Sequence, residues 1–356
     1  MNVYVRVDAS KEIGTGHFFR CMTLSLKLLS IGKKVTFVSR YMPDELINLL
    51  HQNHISFISI FKKPTTKIDT LNHSKWLGIS QNEDANNFKK LTSKNFELLI
   101  IDHYALDKTW ENEFSFLPIK ILVIDDLADR MHDCNFLLDQ NYFLNASSRY
   151  ENILSRSTFK FLGPSFSLLN EDFIFYRNMN KKKDGYIQRI FIFFGGIDIE
   201  NHTKLAIEAL KKVNIKNIEV DVVVGGQNPN RSNIENICIE NSYNFYCQTT
   251  KMAEIMSNAD LAIGGGGSTT WERCCVGLPS IIVPIAQNQI EIAKDIHEFG
   301  AAICIQDSEN LVDDICNTIN ELELNNKVLK KMSQLCLSLV DGLGVERVLK
   351  KIKVNM

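Results

Sequence analysis

Short apolar runs alternate with amphipathic helical patterns along the chain. The runs predict strands in two groups, at residues 3–7, 35–39, 98–102, 121–125 and 136–139, and at residues 189–194, 218–224, 259–264 and 279–284. Strands separated by helices are typical of a parallel sheet with helices packed on its faces. The pattern therefore predicts an α/β protein with two Rossmann-like lobes.

A polar stretch that contains "NMNKKKDGYIQ" separates the two groups of strands. We therefore predict an N-terminal lobe at 1–170, a linker at 171–188 and a C-terminal lobe at 189–356. Ligands of open parallel sheets bind beyond the carboxyl ends of the strands. For this reason we expect the two sheets to face a central cleft.

The composition of the chain indicates which kinds of binding partner are unfavourable. Forty Lys and Arg residues against 42 Asp and Glu residues leave a formal charge of −2, so the chain lacks the basic field that favours nucleic acid or an anionic membrane. No apolar run has the length of a membrane span. We expect a cytoplasmic protein with a small-molecule substrate, no nucleic-acid partner and no membrane insertion. The sequence leaves protein partners unknown.

Nine cysteines are scattered along the chain, mostly within apolar runs. This distribution favours reduced residues of the core. No CxxC pair or cluster of His and Cys residues has the spacing of a metal site. We therefore expect neither a bound metal nor a cofactor.

The stretch "IGTGHFFRC" follows the first strand and opens the first helix. Gly14 and Gly16 bracket a tight turn, and His17 falls in or next to the first helical turn, where the helix dipole favours a neutral ring that can accept a proton. The structural alternative is a histidine that only caps the helix. Asp8, at the end of the first strand, is close enough in sequence to contact a sugar or to orient His17.

Two further strand ends carry candidate chemistry. Tyr104 leaves the apolar strand of "LLIIDHYALD", where a turn with a packed tyrosine is the alternative interpretation. Gly195 and Gly196 follow another strand and can bring backbone N–H groups close to a phosphate, although two adjacent glycines are a weak signal on their own.

The most informative stretch is "GGGGSTTWERCCVGLP". Its glycines, of which Gly266 and Gly267 are the last two, lead through Ser268 and Thr269 into a helix. They predict unhindered backbone amides and two hydroxyls at the helix N-terminus, a site for a diphosphate. Glu272 falls one turn further on, where a carboxylate can accept hydrogen bonds from two ribose hydroxyls. Its alternative role is to compensate the helix dipole.

Long segments of the chain resemble one family. "RVDASKEIGTGHFFRC", "LLIIDHYALDKTWE", "FLGPSFSLLNEDF", "GGIDIENHT", "GGGGSTTWERCCVGLPSIIVPIAQNQ" and "VDGLGVERV" are similar, in the same order, to segments of the UDP-sugar hydrolases of pseudaminic acid biosynthesis. The resemblance covers nearly the whole chain and implies a GT-B-like fold.

The resemblance also implies an activity and site residues. The activity is metal-independent hydrolysis of UDP-2,4-diacetamido-2,4,6-trideoxy-β-L-altropyranose to UDP and the free sugar, with inversion at the anomeric carbon. His17 matches the general base, Tyr104 and Asn288 match an active-site tyrosine and asparagine, and Glu272 matches the carboxylate that binds the ribose of UDP.

Two other functions remain open at this stage. A GT-B glycosyltransferase would share the UDP site and pass the sugar to an acceptor hydroxyl in place of water. A non-catalytic nucleotide-sugar sensor would keep Glu272 but would not need His17.

Overall fold

The computed structural model describes residues 2–60, 69–93, 95–154, 157–179, 183–215, 217–306 and 309–354. The elements of the first part are β1 Asn2–Val7, α1 Gly16–Ser30, β2 Lys34–Ser39, α2 Asp44–Gln52, β3 Ser56–Ser59, α3 Ser74–Leu77, α4 Gln81–Leu91, β4 Leu98–Asp102, α5 Lys108–Glu111, β5 Lys120–Ile124, β6 Phe136–Asp139 and β7 Phe159–Leu162. The later elements are α6 Glu171–Asn178, β8 Arg189–Phe193, α7 His202–Lys212, β9 Glu219–Val224, α8 Arg231–Glu240, β10 Asn244–Cys247, α9 Met252–Asn258, β11 Leu261–Gly264, α10 Thr269–Cys275, β12 Ser280–Ile282, α11 Gln287–Phe299, β13 Ala302–Cys304, α12 Leu311–Leu324, α13 Asn326–Leu339 and α14 Gly344–Val354.

The first sheet has seven parallel strands in the order β3-β2-β1-β4-β5-β6-β7. Its central strands bury both faces. On β1, Val5 packs into the core shared with α1, whereas Tyr4 points into a second core that contains Phe88 of α4 and Trp110 of α5. Burial on both faces explains why these strands appear in the sequence as continuous apolar runs.

The second sheet has six parallel strands in the order β10-β9-β8-β11-β12-β13. Its core takes Ile190 and Ile192 from β8, and the adjacent helix α7 contributes Ala206 and Leu210. The predicted fold class, an α/β protein with two parallel sheets wound with helices, is confirmed.

The four strands that the sequence did not predict are the four edge strands, β3, β7, β10 and β13. Three or four residues long, they carry several partly or fully exposed positions, whereas all five residues of β4 are buried. An edge strand has one neighbour, so its residues need not be uniformly apolar. The apolar-run signal is therefore weak in these strands.

The chain forms two compact units whose boundaries differ from the predicted lobes. Unit 1 comprises the described residues of Met1–Asn141, Asn145–Leu168 and Gly344–Met356, and unit 2 those of Tyr142–Leu144 and Leu169–Leu343. The assignment of 344–356 to the C-terminal lobe is therefore wrong. Its helix α14 places apolar residues at helical spacing in the core of unit 1, namely Val345, Val348, Leu349 and Ile352.

The predicted linker at 171–188 also needs correction. Most of its first half is helix α6, which belongs to unit 2. Arg177 on this helix donates hydrogen bonds to the carbonyl oxygens of Cys275, Leu337 and Val340. Residues 180–182 of the predicted linker lie outside the described residues.

The nine cysteines are free thiols, as the sequence predicted. Cys247 and Cys304 are half-buried, and the others are buried. Among the described residues, no helix combines the length and the apolar character needed to cross a membrane.

The position of α14 in the core of unit 1 yields a prediction. We expect Leu349→Ala to lower the free energy of unfolding by about 2–5 kcal/mol, because the truncation leaves a cavity in a packed core. Lys350→Ala, at the exposed neighbouring position, should change it by no more than about 0.5 kcal/mol. Urea denaturation followed by circular dichroism measures both. Equal effects of the two substitutions would contradict the packing of α14.

Candidate active site

The order of strands in unit 1 reverses between β1 and β4, which are neighbours in the sheet. At such a point the loops from adjacent strands diverge and leave a crevice that commonly binds ligands. His17 lies on α1, which follows β1, and Asp102 is the last residue of β4. The structure therefore brings together two polar side chains from strand ends that are far apart in sequence.

The turn before α1 places His17 at the second position of this helix, as predicted. Gly14 has a φ of +78°, a conformation that favours glycine, and its N–H donates to the carbonyl oxygen of Ser10 at 2.8 Å. Gly16 is the first helical residue and is exposed. Thr15 is the N-cap residue of α1, and its side chain makes no capping hydrogen bond.

His17 forms a close pair with Asp102. Its Nδ1 lies 2.6 Å from Oδ1 of Asp102, and both side chains are buried. A carboxylate can only accept, so Nδ1 carries the proton of this hydrogen bond, and Nε2 is the nitrogen left to accept a proton. Burial by itself would raise the pKa of Asp102, but the charge of Arg20 and the hydrogen bonds from Arg20 and His17 outweigh burial and hold this pKa well below its usual range. The pair has the arrangement of a general base with an orienting carboxylate.

Arg20 connects this pair to a second carboxylate. Its Nε donates to Asp102 at 2.6 Å, and its Nη1 donates to both oxygens of Asp126, at 2.9 and 2.7 Å. Asp126 also accepts a hydrogen bond of 2.8 Å from the side-chain amide of Asn141. The guanidinium thus holds two buried carboxylates that follow neighbouring strands, β4 and β5.

Tyr104 completes this cluster. Its hydroxyl donates to Asp126 at 2.5 Å, and its ring packs edge-on against the ring of His17 with 4.6 Å between centroids. Burial, together with the charge of Asp126, raises the pKa of Tyr104 well above its ordinary value. Tyr104 therefore remains a neutral phenol and restricts the orientation of the imidazole.

Asp8 does not take either role that the sequence suggested for it. Its carboxylate is fully buried and accepts hydrogen bonds from both terminal nitrogens of Arg6 and from the backbone N–H of Arg40. His103 Nε2 lies 3.2 Å from it. Because Asp102 is the partner of His17, the prediction that Asp8 orients the histidine is wrong. Burial also leaves Asp8 no exposed surface for a sugar.

Sequence reasoning did not assign roles to Asp102, Arg20 and Asp126. Each position had a signal: Asp102 stands in the "DHY" stretch, Asp126 follows the strand "ILVID", and Arg20 lies one turn after His17. Polar residues at the ends of buried strands indicate a site. Their pairing depends on the order of strands, which periodicity alone does not give.

In unit 2 the order of strands reverses between β8 and β11. Gly195 and Gly196 follow β8, and the glycine loop, which we define as residues 264–268, follows β11. A Cβ atom on Gly264 would lie 2.2 Å from the carbonyl oxygen of Phe193 and 2.7 Å from Nη1 of Arg273, so only glycine fits. Gly195 has a φ of +90°. Both predicted phosphate-binding stretches therefore lie at a reversal point of the sheet.

The amides of the glycine loop are less open than the sequence predicted. Gln289 Oε1 accepts hydrogen bonds from the N–H groups of Gly266 at 2.8 Å and of Ile285 at 3.1 Å. Gly267, Ser268 and Thr269 are half-buried. The prediction of unhindered amides is thus wrong for Gly266. The helix that follows, α10, has seven residues and contributes a correspondingly small dipole.

Asn288 and Glu272 lie on the two helices near this loop. Asn288 is an exposed residue in the first turn of α11. Glu272 lies in the first turn of α10 and is half-buried; burial raises its pKa to about 7 against the opposing charge of Arg273. Their predicted contacts with a ligand stay predictions.

Arg273 is a fully buried cation behind the glycine loop. Its Nη2 donates to the carbonyl oxygen of Gly265 and to the hydroxyl of Thr270, at 2.8 and 2.9 Å. Among the described residues nothing accepts a hydrogen bond from its Nε or Nη1. Burial lowers the pKa of Arg273 to about 10. Sequence reasoning missed this residue, because an arginine inside a short helix is usually exposed.

The described part of the chain holds no group of three or more His, Cys, Asp or Glu side chains arranged to bind a metal ion. The carboxylates of unit 1 instead have arginine partners, such as Arg20 for Asp102 and Asp126. Charge neutralisation in this cluster is therefore supplied by guanidinium groups.

Comparisons with known proteins show what the chain resembles in sequence and in fold. The model of the glycosyltransferase family 28 C-terminal domain matches residues 189–339. The UDP-2,4-diacetamido-2,4,6-trideoxy-beta-L-altropyranose hydrolase of Campylobacter jejuni is 25% identical over 265 residues, which are 74% of this chain and 84% of that protein. The spore coat polysaccharide biosynthesis protein SpsG of Bacillus subtilis is 24% identical over 356 residues, which cover 98% of this chain and 96% of that protein.

The crystal structure of MurG from Acinetobacter baumannii is similar with a TM-score of 0.65 and 16% identity, and the match covers 99% of each chain. This similarity concerns the fold. By sequence the chain is thus similar to the UDP-2,4-diacetamido-2,4,6-trideoxy-beta-L-altropyranose hydrolase of Campylobacter jejuni, and it has a GT-B-like fold in which residues 189–339 match the glycosyltransferase family 28 C-terminal domain.

Proposed function

We propose that the protein hydrolyses UDP-2,4-diacetamido-2,4,6-trideoxy-β-L-altropyranose to UDP and the free 2,4-diacetamido-2,4,6-trideoxy-L-altrose. The observation that carries this proposal is the His17–Asp102 pair at the reversal point of the first sheet, 2.6 Å apart. The named activity of the Campylobacter jejuni relative supports the same reaction. A base with a fixed tautomer suits the activation of water.

In the proposed reaction Nε2 of His17 accepts a proton from water as the water oxygen bonds to the anomeric carbon. The bond from this carbon to the diphosphate oxygen breaks, and its electron pair leaves with UDP. Asp102 accepts the Nδ1–H bond throughout and stabilises the imidazolium that forms. Attack from the side opposite UDP inverts the anomeric configuration.

Unit 2 would bind the nucleotide. Glu272 accepts hydrogen bonds from the two ribose hydroxyls, and the diphosphate lies against Gly195, Gly196 and the glycine loop. Gly267, Ser268 and Thr269 would donate to its oxygens as negative charge develops on the leaving group. In unit 1, Gly14 and Gly16 allow close approach of the backbone, and Tyr104 keeps His17 in place. Asn288 would contact the substrate from α11.

A second candidate is transfer of the sugar to an acceptor hydroxyl. The family 28 domain and the fold shared with MurG favour this alternative. Both reactions need a base and a UDP site, and they differ in the nucleophile. The alternative therefore predicts slow release of UDP in water and faster release when an acceptor alcohol is present.

The deciding experiment incubates the protein with the altropyranose substrate in the presence of EDTA. NMR follows the release of UDP and the configuration of the free sugar, with UDP-GlcNAc as the comparison substrate. We expect stoichiometric UDP and free sugar, with inversion in the first product formed. Binding without turnover would support a nucleotide-sugar sensor and would remove the hydrolase proposal.

The His17–Asp102 pair gives the first prediction for this reaction. His17→Asn and Asp102→Asn should each lower kcat by at least about 10²-fold, since one removes the base and the other its orienting carboxylate. UDP affinity, measured by calorimetry, should stay unchanged. His51→Asn, at an exposed histidine of α2, is the matched control and should keep full activity.

The pH profile separates the base from a capping residue. The acidic limb of kcat should disappear in His17→Asn, because this limb reflects protonation of the imidazole. Asparagine is a good helix cap, so a purely capping histidine would leave both turnover and the profile intact. Circular dichroism and thermal melting establish that the variants are folded.

Glu272 gives a prediction with a defined sign. Its pKa is about 7 in the folded protein against an ordinary value of 4.5, so the folded state binds more protons between these values and loses stability as pH rises through them. Glu272→Gln removes this loss. We expect the Tm of the variant relative to the parent to increase from pH 5 to pH 8. A constant difference in Tm would show that the carboxyl has an ordinary pKa.

The same variant tests the ribose contact. The ionised carboxylate accepts hydroxyl donors best, so the ratio of parent to variant affinity for UDP should increase over the same pH range. This ratio cancels the titration of the UDP phosphate itself. Glu272→Ala should weaken UDP binding far more than it changes kcat, since ribose is remote from the reacting bond. Unchanged UDP affinity in both variants would exclude Glu272 from the site.

A further inference from the structure

An aromatic surface adjoins the His17–Asp102 pair in unit 1. We call it the aromatic ledge and define it as His73, Trp76 and Tyr104. The rings of Trp76 and Tyr104 are nearly parallel, at 23°, with centroids 5.6 Å apart. The ring centroid of His73 lies 4.5 Å from that of Trp76 and 5.4 Å from that of Tyr104. The three rings therefore pack against one another, with Tyr104 buried and with Trp76 and His73 half-buried.

The ledge leads directly to the base. Tyr104 contacts Trp76 with one part of its ring and His17, edge-on at 4.6 Å, with another. Trp76 lies on α3 and His73 immediately before it, in the connection that follows β3. The ledge thus combines residues that follow two strands of the sheet, β3 and β4, at the same edge as His17.

Exposure distinguishes Trp76 from the other tryptophans. Trp110 and Trp271 are fully buried, whereas Trp76 is half-buried although it adjoins a cluster of buried charges. His73 is half-buried as well, and burial lowers its pKa, so its ring is neutral near pH 7. The ledge presents an uncharged apolar face next to the base. A large aromatic ring left partly open at such a point favours contact with a ligand over a role in the core.

We propose that the sugar of the substrate packs against Trp76 and His73, and that this contact selects sugars with apolar substituents. The proposal rests on the hydrolase function proposed above and names what this site selects. The two acetamido methyl groups and the methyl group at carbon 6 of the diacetamido-trideoxy sugar give apolar area to an aromatic face. A sugar with hydroxyl groups in those places would leave them without partners there.

The first test is the specificity of ledge variants. Trp76→Ala should lower kcat/KM for the diacetamido-trideoxy substrate about 10- to 200-fold, the range expected for lost apolar contacts in a pocket. The loss should lie mainly in KM, with UDP affinity unchanged. Trp76→Phe should recover most of it, because phenylalanine keeps an aromatic face. Phe116→Ala, at an exposed ring elsewhere in unit 1, is the control and should keep the parent values.

The second test uses fluorescence and needs no turnover. In the His17→Asn variant we expect the altropyranose substrate to protect Trp76 from quenching by acrylamide, whereas UDP alone should not. The buried Trp110 and Trp271 contribute a background that Trp76→Phe in the same variant defines. Quenching that is equal with substrate and with UDP would overturn the proposal.

The two tests distinguish failure of the proposed sugar contact from failure of the proposed hydrolase function. One outcome is that the parent hydrolyses the substrate, that Trp76→Ala has an unchanged kcat/KM and that the substrate does not protect Trp76 from quenching. This outcome would reject the role of the aromatic ledge and would leave the hydrolase proposal intact. Protection of Trp76 without hydrolysis by the parent would keep the sugar contact and remove the hydrolase function. If Trp76→Ala fails to fold, Trp76→Phe and the quenching experiment still decide. Absence of both binding and hydrolysis would reject both proposals.

Discussion

The geometry of unit 1 depends on one buried guanidinium. Arg20 lies between Asp102, at the end of β4, and Asp126, which follows β5. Without a cation between them these two buried carboxylates would repel each other. Because Arg20 donates hydrogen bonds to both carboxylates, Asp102 can remain ionised beside His17 and Asp126 can accept from Tyr104. The orientation of the imidazole is therefore fixed from two sides by the same ion cluster. Loss of one member would leave a buried charge unpaired, which is usually more costly than the pair itself is worth.

Each unit contains a buried arginine, and the two arginines differ in their partners. In unit 1 the buried Arg20 has two carboxylate partners, and the pKa of one of them, Asp102, stays well below its usual range. In unit 2 Arg273 lies behind the glycine loop without a carboxylate partner among the described residues, and burial lowers its pKa. A cation in that position favours negative charge in front of the loop, while the paired cation of unit 1 helps to fix Asp102 and thereby the orientation of His17.

Strand order links these features to the fold. In each sheet the polar loops of interest follow two strands that are adjacent in space, β1 and β4 in unit 1 and β8 and β11 in unit 2. The glycine at the end of β11 is required because a Cβ atom there would overlap with the carbonyl oxygen of Phe193. The side chains of Asp102 and Arg20 are brought together by the pairing of β1 with β4. The site is therefore a consequence of the doubly wound arrangement, and its chemistry depends on which residues stand at the strand ends.

The sequence by itself determined the central strands, the α/β class, the helix whose first turn contains His17 and the glycine loop, because each of these has a local signal. Apolar runs mark strands that are buried on both faces, and glycines mark turns that need close approach. Only the tertiary structure decided the edge strands, the place of α14 in unit 1 and the partners of the charged residues. The reason is distance along the chain: His17 and Arg20 meet Asp102 and Asp126 across 82 to 106 residues. No local pattern encodes which of several strand-end carboxylates will be the neighbour, and for that reason Asp8 was the wrong choice and Asp102 the right one.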